Sequence, residues 1–284
     1  MRLVFRLLTR TELDTALSWA AAEGWNPGQH DADAFWVADP EGFYGMESGG
    51  ELIGCASIVS YAGAMGFVGL FIVRPEWRGR GLGTRFWNFF VARLRDRLQP
   101  GASIALDGVF AMQPFYAKSG FGFTHRNLRM EGTGVSSGTP APELVELLTL
   151  PFEQVSDFDR GHFGAERPEF LRLWIQPPGG LGLGFLRGDR LIGCGVARPC
   201  ARGFKIGPLF AKDPEVAGVL FSALSNHAAG QPLFFDTPES NSDALALAAR
   251  HGMKECFGCV RMVLGPVPSL PWSHIYGVTT FELG

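Results

Sequence analysis

Apolar residues recur along the chain in short runs set between glycine-rich turns, with a few longer stretches of helical period. Residues 3–7 predict a strand. Residues 11–23 predict a helix with acidic residues in its first turn, closed by Gly24. A second, short helix is predicted over 33–36, and strands over 43–46, 52–59 and 66–73, each bounded by glycines or a turn. Residues 84–98 predict a long helix, because Phe86, Phe89, Phe90 and Leu94 fall on one face. A strand over 103–106, a short helix over 114–118 ending at Gly120 and a last strand over 123–130 complete the set. Strands and helices mixed in this order predict an α+β layered fold, a mostly antiparallel mixed sheet flanked by helices.

The pattern then repeats. Glu51-Leu52-Ile53-Gly54-Cys55-Ala56 returns as Arg190-Leu191-Ile192-Gly193-Cys194-Gly195, an offset of 139 that also carries Leu70-Phe71 onto Leu209-Phe210 and Pro75-Glu76 onto Pro214-Glu215. Gly120-Phe121 pairs with Gly252-Met253, and Arg129-Met130 with Arg261-Met262, at an offset of 132. Matches on two constant offsets predict two copies of one fold. The stretch 132–142 is rich in Gly, Ser, Thr and Pro and lacks periodicity, so it reads as the linker between domains 1–131 and 143–284.

Composition fits this reading. The 284 residues are 46% hydrophobic and 19% charged, which places the chain among globular proteins with a sizeable core. A net charge of −3 leaves no electrostatic footprint for nucleic acid or an anionic membrane, so neither is an expected partner. The uncharged stretch 52–73 is long enough to span a bilayer, but its glycines and the turn at 61–64 split it into two buried strands. Five cysteines, an odd number, are not a disulfide framework, and Cys256 and Cys259 form a lone CxxC with no second pair, so no metal is expected. The first six residues show no signal peptide. The expected location is cytoplasmic.

Chemistry concentrates in Val73-Arg74-Pro75-Glu76-Trp77-Arg78-Gly79-Arg80-Gly81-Leu82-Gly83-Thr84, between an apolar strand and the long helix. Three alternating glycines expose backbone N–H groups at a helix start, where the helix dipole adds partial positive charge. That is a site for a phosphate or pyrophosphate, with Arg78 and Arg80 as added charge. No Gly-Lys-Ser/Thr follows, and the spacing is not that of a dinucleotide fingerprint.

Arg78-x-x-Gly81-x-Gly83, with its Pro75-Glu76-x-Arg78-Gly79 lead-in, resembles the Q/R-x-x-G-x-G/A motif of GCN5-related N-acetyltransferases, and Phe115-Tyr116-Ala117-Lys118-Ser119-Gly120-Phe121 resembles that family's Tyr-x-(Lys/Arg)-x-Gly-Phe segment. The resemblance covers about residues 3–130 well and 145–265 more faintly, like the tandem members with a degenerate second copy. It implies acetyl-CoA in a V-shaped gap between the fourth and fifth strands. Its pyrophosphate would rest on Gly79, Arg80, Gly81, Leu82, Gly83 and Thr84 with Arg78, and its pantetheine arm would pair with Phe71, Ile72 and Val73. The Phe71 N–H then becomes an oxyanion donor and Tyr116 the acid for the leaving thiolate, in a direct attack by an amine.

The base stays open among Glu76, Asp107, His30, Asp31 and Asp33; the recurrence of Glu76 as Glu215 favours a structural role for it. In the second copy Arg78, Gly81 and Gly83 become Ala217, Leu220 and Ser222, and Tyr116 becomes Ala248. That copy is expected to lack a cofactor and to cover the first, shape the acceptor pocket or form an intramolecular pseudo-dimer. Trp25, His30 and Asp31, in the loop after the first helix, would suit a cationic acceptor, and Asp236 sits at a strand end where an acceptor could also lie. The expected function is acetyl-CoA-dependent N-acetylation of a small primary amine. The alternatives are a non-catalytic acyl-CoA-sensing or scaffolding module, and transfer of a longer acyl group or transfer to a protein N-terminus. The oligomeric state stays open.

Overall fold

The computed structural model describes residues 3–136 and 141–284; the first two residues and positions 137–140 of the linker expected at 132–142 lie outside the described residues. The first copy runs β1 (Leu3–Leu7), α1 (Arg10–Ala22), α2 (Asp31–Ala38), β2 (Phe43–Ser48), β3 (Glu51–Tyr61), β4 (Met65–Val73), α3 (Leu82–Asp96), β5 (Ser103–Val109), α4 (Gln113–Ala117) and β6 (Gly122–Thr133). The second runs β7 (Leu144–Glu146), α5 (Phe152–Phe163), α6 (Pro168–Trp174), β8 (Leu181–Arg187), β9 (Arg190–Pro199), β10 (Phe204–Ala211), α7 (Pro214–His227), β11 (Pro232–Pro238), α8 (Ser242–Arg250) and β12 (Lys254–Leu264). A short strand, β13 (Ile275–Gly277), follows. The fold is α+β, and the two copies share one element order.

Helix α1 begins one turn position earlier than expected because Thr9, not Thr11, caps it. Its hydroxyl accepts from the Glu12 N–H at 3.3 Å, while the Glu12 carboxylate accepts from the Thr9 N–H at 2.8 Å. Helix α3 buries Leu82, Phe86, Trp87, Phe90 and Leu94 against the sheet; Trp87 is fully covered, whereas Phe89 is only half-buried on the helix flank.

The strands form a single sheet in the order β1-β2-β3-β4-β5-β12-β6-β11-β10-β9-β8-β7, with β13 beside β10. Exchanging each strand for its repeat equivalent reverses the order onto itself, so a pseudo-twofold axis passes between β12 and β6. Each copy thus lends its last strand to the other. β12 pairs antiparallel with β5 from Val109↔Cys259 to Ile104↔Leu264, and β6 pairs antiparallel with β11 from Asn127↔Pro238 to Thr133↔Pro232. That pairing carries β6 into residues 132 and 133, the first two of the expected linker.

In each copy the fourth and fifth strands are parallel only at their start. β4 meets β5 over Met65–Val68 and Ser103–Leu106, and β10 meets β11 over three residues, Phe204 to Ile206. Both fourth strands then carry one extra residue against their antiparallel neighbour: Gly69 and Ile72 oppose Ser57 and Cys55, and Ile206 and Leu209 oppose Ala197 and Gly195. Such a bulge bends its strand, and Leu70, at φ +47°, marks it in β4.

In the second copy the gap so opened is occupied by the chain itself. β13 pairs antiparallel with β10, and the Val278 N–H donates to the Asp236 carbonyl of β11 at 2.9 Å. The segment continues onto the first copy, where the Tyr61 hydroxyl donates to the Leu283 carbonyl at 2.8 Å and the Ser57 hydroxyl to the Glu282 carbonyl at 3.4 Å. In the first copy the gap stays open.

Candidate active site

The open gap is a cavity of about 580 Å³. One wall is Phe71, Ile72 and Val73 of β4, which past Val68 have no strand partner on the β5 side. A free strand edge offers N–H and C=O groups to an extended, amide-bearing ligand in the manner of an added strand. The mouth is the glycine turn. Gly79 and Gly81 both adopt φ +73°, and a Cβ added at either would meet no atom within 4 Å, so the backbone there is open to a bulky anion. Gly81 caps α3, and Gly83 lies inside its first turn rather than before it. The first amides of that helix, from Leu82 through Thr84, have no intrahelical acceptor and line the cavity. Arg78 fixes the turn, its Nε donating to the Val73 carbonyl at 2.7 Å and its Nη2 pairing with Glu23. Arg80 does not line the cavity; its guanidinium lies 5.1 Å from the centre of the Trp77 ring.

Tyr116 projects from α4 into the same space. Its ring packs against Gly108, where an added Cβ would come within 2.2 Å of the ring edge. Trp87 stands 5.1 Å away, centre to centre. Burial, helped by the neighbouring Cys259, pushes the phenol above its ordinary range, so the hydroxyl is held protonated. Burial likewise holds Cys259 as a thiol, well above its ordinary range. Asp107 lines the cavity too, but its carboxylate takes two hydrogen bonds from Arg261, at 2.8 and 2.6 Å, and one from Asn127 at 2.8 Å.

The four residues expected at the acceptor separate. Trp25 lines the cavity. His30 is exposed at the start of α2, without a side-chain cap bond. Asp31 is buried and committed elsewhere: it accepts from the Gly28 N–H at 2.7 Å and from Arg198 Nε at 2.8 Å. Asp236 lies inside the sheet because β11 runs on to Pro238, and Arg129 grips it with two bonds of 2.6 and 2.7 Å. Two of the residues weighed as bases, Glu76 and Asp33, are exposed and paired with Arg74 and Arg10. Instead, the inner end of the cavity is built by the second copy: Phe257 and Cys259 of β12, then Phe281 and Glu282 beyond β13. The sequence carries one trace of this. Glu282 is the sole Asp, Glu, Lys or Arg in residues 265–284.

Among the described residues no His, Cys, Asp and Glu cluster has the makings of a metal site, and no helix is long and apolar enough to cross a membrane. Residues 9–121 match the family model for an acetyltransferase (GNAT) family, and residues 155–277 match that for an acetyltransferase (GNAT) domain. The chain is 29% identical to a holothin acyltransferase from Pseudoalteromonas sp. (strain SANK 73390), over 94% of this chain and 89% of that protein. It is 24% identical to the uncharacterized N-acetyltransferase YitH of Bacillus subtilis (strain 168) over 70% of each. Its fold matches that of a Pyrococcus horikoshii protein of proposed acetyltransferase function, with a TM-score of 0.84, 23% identity and coverage of 99% and 96% of the two chains. It also matches a tandem GNAT protein from the clavulanic acid biosynthesis pathway, with a TM-score of 0.63, 16% identity and coverage of 94% and 100%. With both copies matched, the chain belongs to the GCN5-related N-acetyltransferases as a tandem member of that acyltransferase family.

Proposed function

We propose that the protein is an acetyl-CoA-dependent N-acetyltransferase acting on a primary amine of a small molecule, by direct attack in a ternary complex. The observation that carries this reading is one cavity that gathers an open glycine turn at a helix N-terminus, an unpaired bulged strand edge and a buried neutral tyrosine. The turn and the first amides of α3 suit the pyrophosphate, with Arg78 beside them. The edge of Phe71, Ile72 and Val73 suits the pantetheine amides. Acetyl-CoA supplies a thioester carbonyl as the electrophile. The bulge at Leu70 turns the Phe71 N–H off the regular ladder, where it can serve the carbonyl oxygen as a fixed donor. Tyr116, kept as a phenol, can give its proton to the departing sulfur. Cys259, kept as a thiol, is a poor nucleophile, which favours direct attack over an acyl-enzyme.

Release of free thiol from acetyl-CoA over a panel of small primary amines tests the reading. Tyr116→Phe is expected to lower kcat by about 10²–10⁴-fold while the Kd for acetyl-CoA stays within about twofold of the parent. Unchanged turnover removes Tyr116 from its role. Binding of acetyl-CoA without thiol release from any amine favours the non-catalytic module. The relative active on holothin is named an acyltransferase, so the assay includes longer acyl thioesters and a peptide N-terminus. Faster turnover of either redefines the donor or the acceptor.

A further inference from the structure

We infer that Glu282 is the acceptor-binding residue of this cavity and that it selects a primary ammonium carried on an aromatic or planar apolar body. The inference rests on the acyltransfer reading of the same site and supplies its missing acceptor end.

Glu282 is 3% exposed, yet it lines the cavity, and its Oε2 has no hydrogen-bond partner. Among the described residues no ion pair reaches its carboxylate. The surrounding buried ions are otherwise matched: Arg261 with Asp107, Arg129 with Asp236, Arg198 with Asp31, and Arg167 with Asp159. Lys205, also buried, gives its Nζ to the Asn26 carbonyl at 2.9 Å. Arg198 keeps Nη1 without an acceptor, but neither it nor Lys205 comes within 4.0 Å of the Glu282 carboxylate. A buried carboxylate is costly unless a cation meets it; Arg129 and Arg198 act on Glu282 through space, but neither pairs with it directly. Oε2 itself is enclosed, so an ammonium in the cavity would meet this carboxylate at Oε1.

The main chain of Glu282 is also held in place. Its backbone carbonyl lies against Gly69 of β4, where an added Cβ would come within 1.9 Å of it, and its N–H donates to the Thr280 hydroxyl at 3.1 Å. Trp25, Phe257 and Phe281 share the cavity lining, and aromatic walls around one carboxylate suit an aromatic amine better than a polyamine or a sugar. A bound ammonium can pass one proton to this carboxylate, leaving a neutral amine and a carboxylic acid, so the group that binds the acceptor also frees its lone pair.

The test uses benzylamine and its uncharged analogue benzyl alcohol, titrated calorimetrically against the protein saturated with coenzyme A. The parent protein is expected to bind benzylamine at least tenfold more tightly than benzyl alcohol. Glu282→Gln, nearly isosteric, is expected to reduce that preference to within about twofold while leaving the Kd for acetyl-CoA unchanged. A parent protein that binds the two probes equally, or a preference that survives in Glu282→Gln, overturns the inference. The first comparison needs no variant, so the inference stays exposed even if the substitution impairs folding. Loss of acetyl-CoA binding in the parent with the benzylamine preference intact would instead overturn the acyltransfer reading and leave the role of Glu282 standing.

Discussion

Gly69→Ala tests how the segment after β13 is seated. The φ of Gly69 is not in the left-handed region, so alanine is compatible with the backbone and only space is at issue. An added Cβ would stand 1.9 Å from the Glu282 carbonyl oxygen and 2.7 Å from its carbon. Relieving that contact only to a tight 3.0 Å needs 3.0 − 1.9 = 1.1 Å of retreat by main chain. Overpacking of this kind costs about 1–3 kcal/mol. The retreat also stretches the 2.8 Å bond from Tyr61 to the Leu283 carbonyl, worth about 1 kcal/mol. Together about 2–4 kcal/mol is expected, or roughly 5–15 °C in Tm for a protein of this size. Thermal and urea unfolding report the loss. Titration with acetyl-CoA and steady-state kinetics locate it: the acceptor KM should rise more than the Kd for acetyl-CoA, because Glu282 moves and the glycine turn does not. A Gly69→Ala protein with parental Tm and parental acceptor KM would refute the seating of this segment against β4.

Three further outcomes follow from the same geometry. Gly81→Val forces a branched side chain to φ +73°, at a cost of about 1–2 kcal/mol, and fills the open turn; acetyl-CoA affinity should fall more than tenfold by calorimetry, and retained affinity would remove the phosphate role of the turn. Asp236→Asn leaves Arg129 buried at 2% exposure without its counter-charge, so urea unfolding should show a loss of about 3–5 kcal/mol, whereas a loss below about 1 kcal/mol would mean that water or another anion replaces the partner. His125 is held neutral chiefly by burial and then by Arg261, its pKa pushed down from 6.5 to about 4. The unfolded chain takes up that proton near pH 6.5 and the folded chain only near 4, so this stability is complete above 6.5 and declines as pH falls to about 4, by about 3 kcal/mol in all. His125→Gln should flatten the urea midpoint over that window, and an unaltered pH dependence would show that the imidazole is solvated.

What was legible in the sequence was local. The offset of 139 placed β3 against β9 and β4 against β10, and Arg78-x-x-Gly81-x-Gly83 marked the turn that the fold leaves open. The start of α1 was legible too, since Thr9-Arg10-Thr11-Glu12 spells a capping box, although the apolar pattern alone points to Thr11. Long-range pairing was not legible. Asp31 and Asp236 read as acidic residues in polar loops, but their arginines lie 167 and 107 residues away, and each pair is closed by a strand of the other copy or beside it. The exchange of β6 and β12 is hidden for a related reason. The two strands are repeat equivalents with similar apolar patterns, so periodicity cannot say which of the two neighbours β5.

That exchange bears on why a copy without a glycine turn or tyrosine is retained in the chain. β5 has β4 beside it only as far as Val68↔Leu106, and its other edge is covered by β12 from the second copy. Without the second copy β5 would be an exposed edge along Ile104–Val109, β6 would lose both neighbours, and the cavity would lose Phe257, Cys259, Phe281 and Glu282 together. The second copy, for its part, has its own gap closed by β13, so the segment that removes one site is the one that finishes the other. The erased motifs and the filled gap are therefore two sides of one arrangement. Only Lys212 and Asp213 join β10 to α7, whereas residues 74–81 join β4 to α3, so Ala217 and Leu220 fall inside α7: the offset of 139 does not hold across this connection, and the phosphate turn is missing rather than replaced. A copy freed from binding a cofactor can close its gap with β13, whose continuation carries Glu282 to the open cavity.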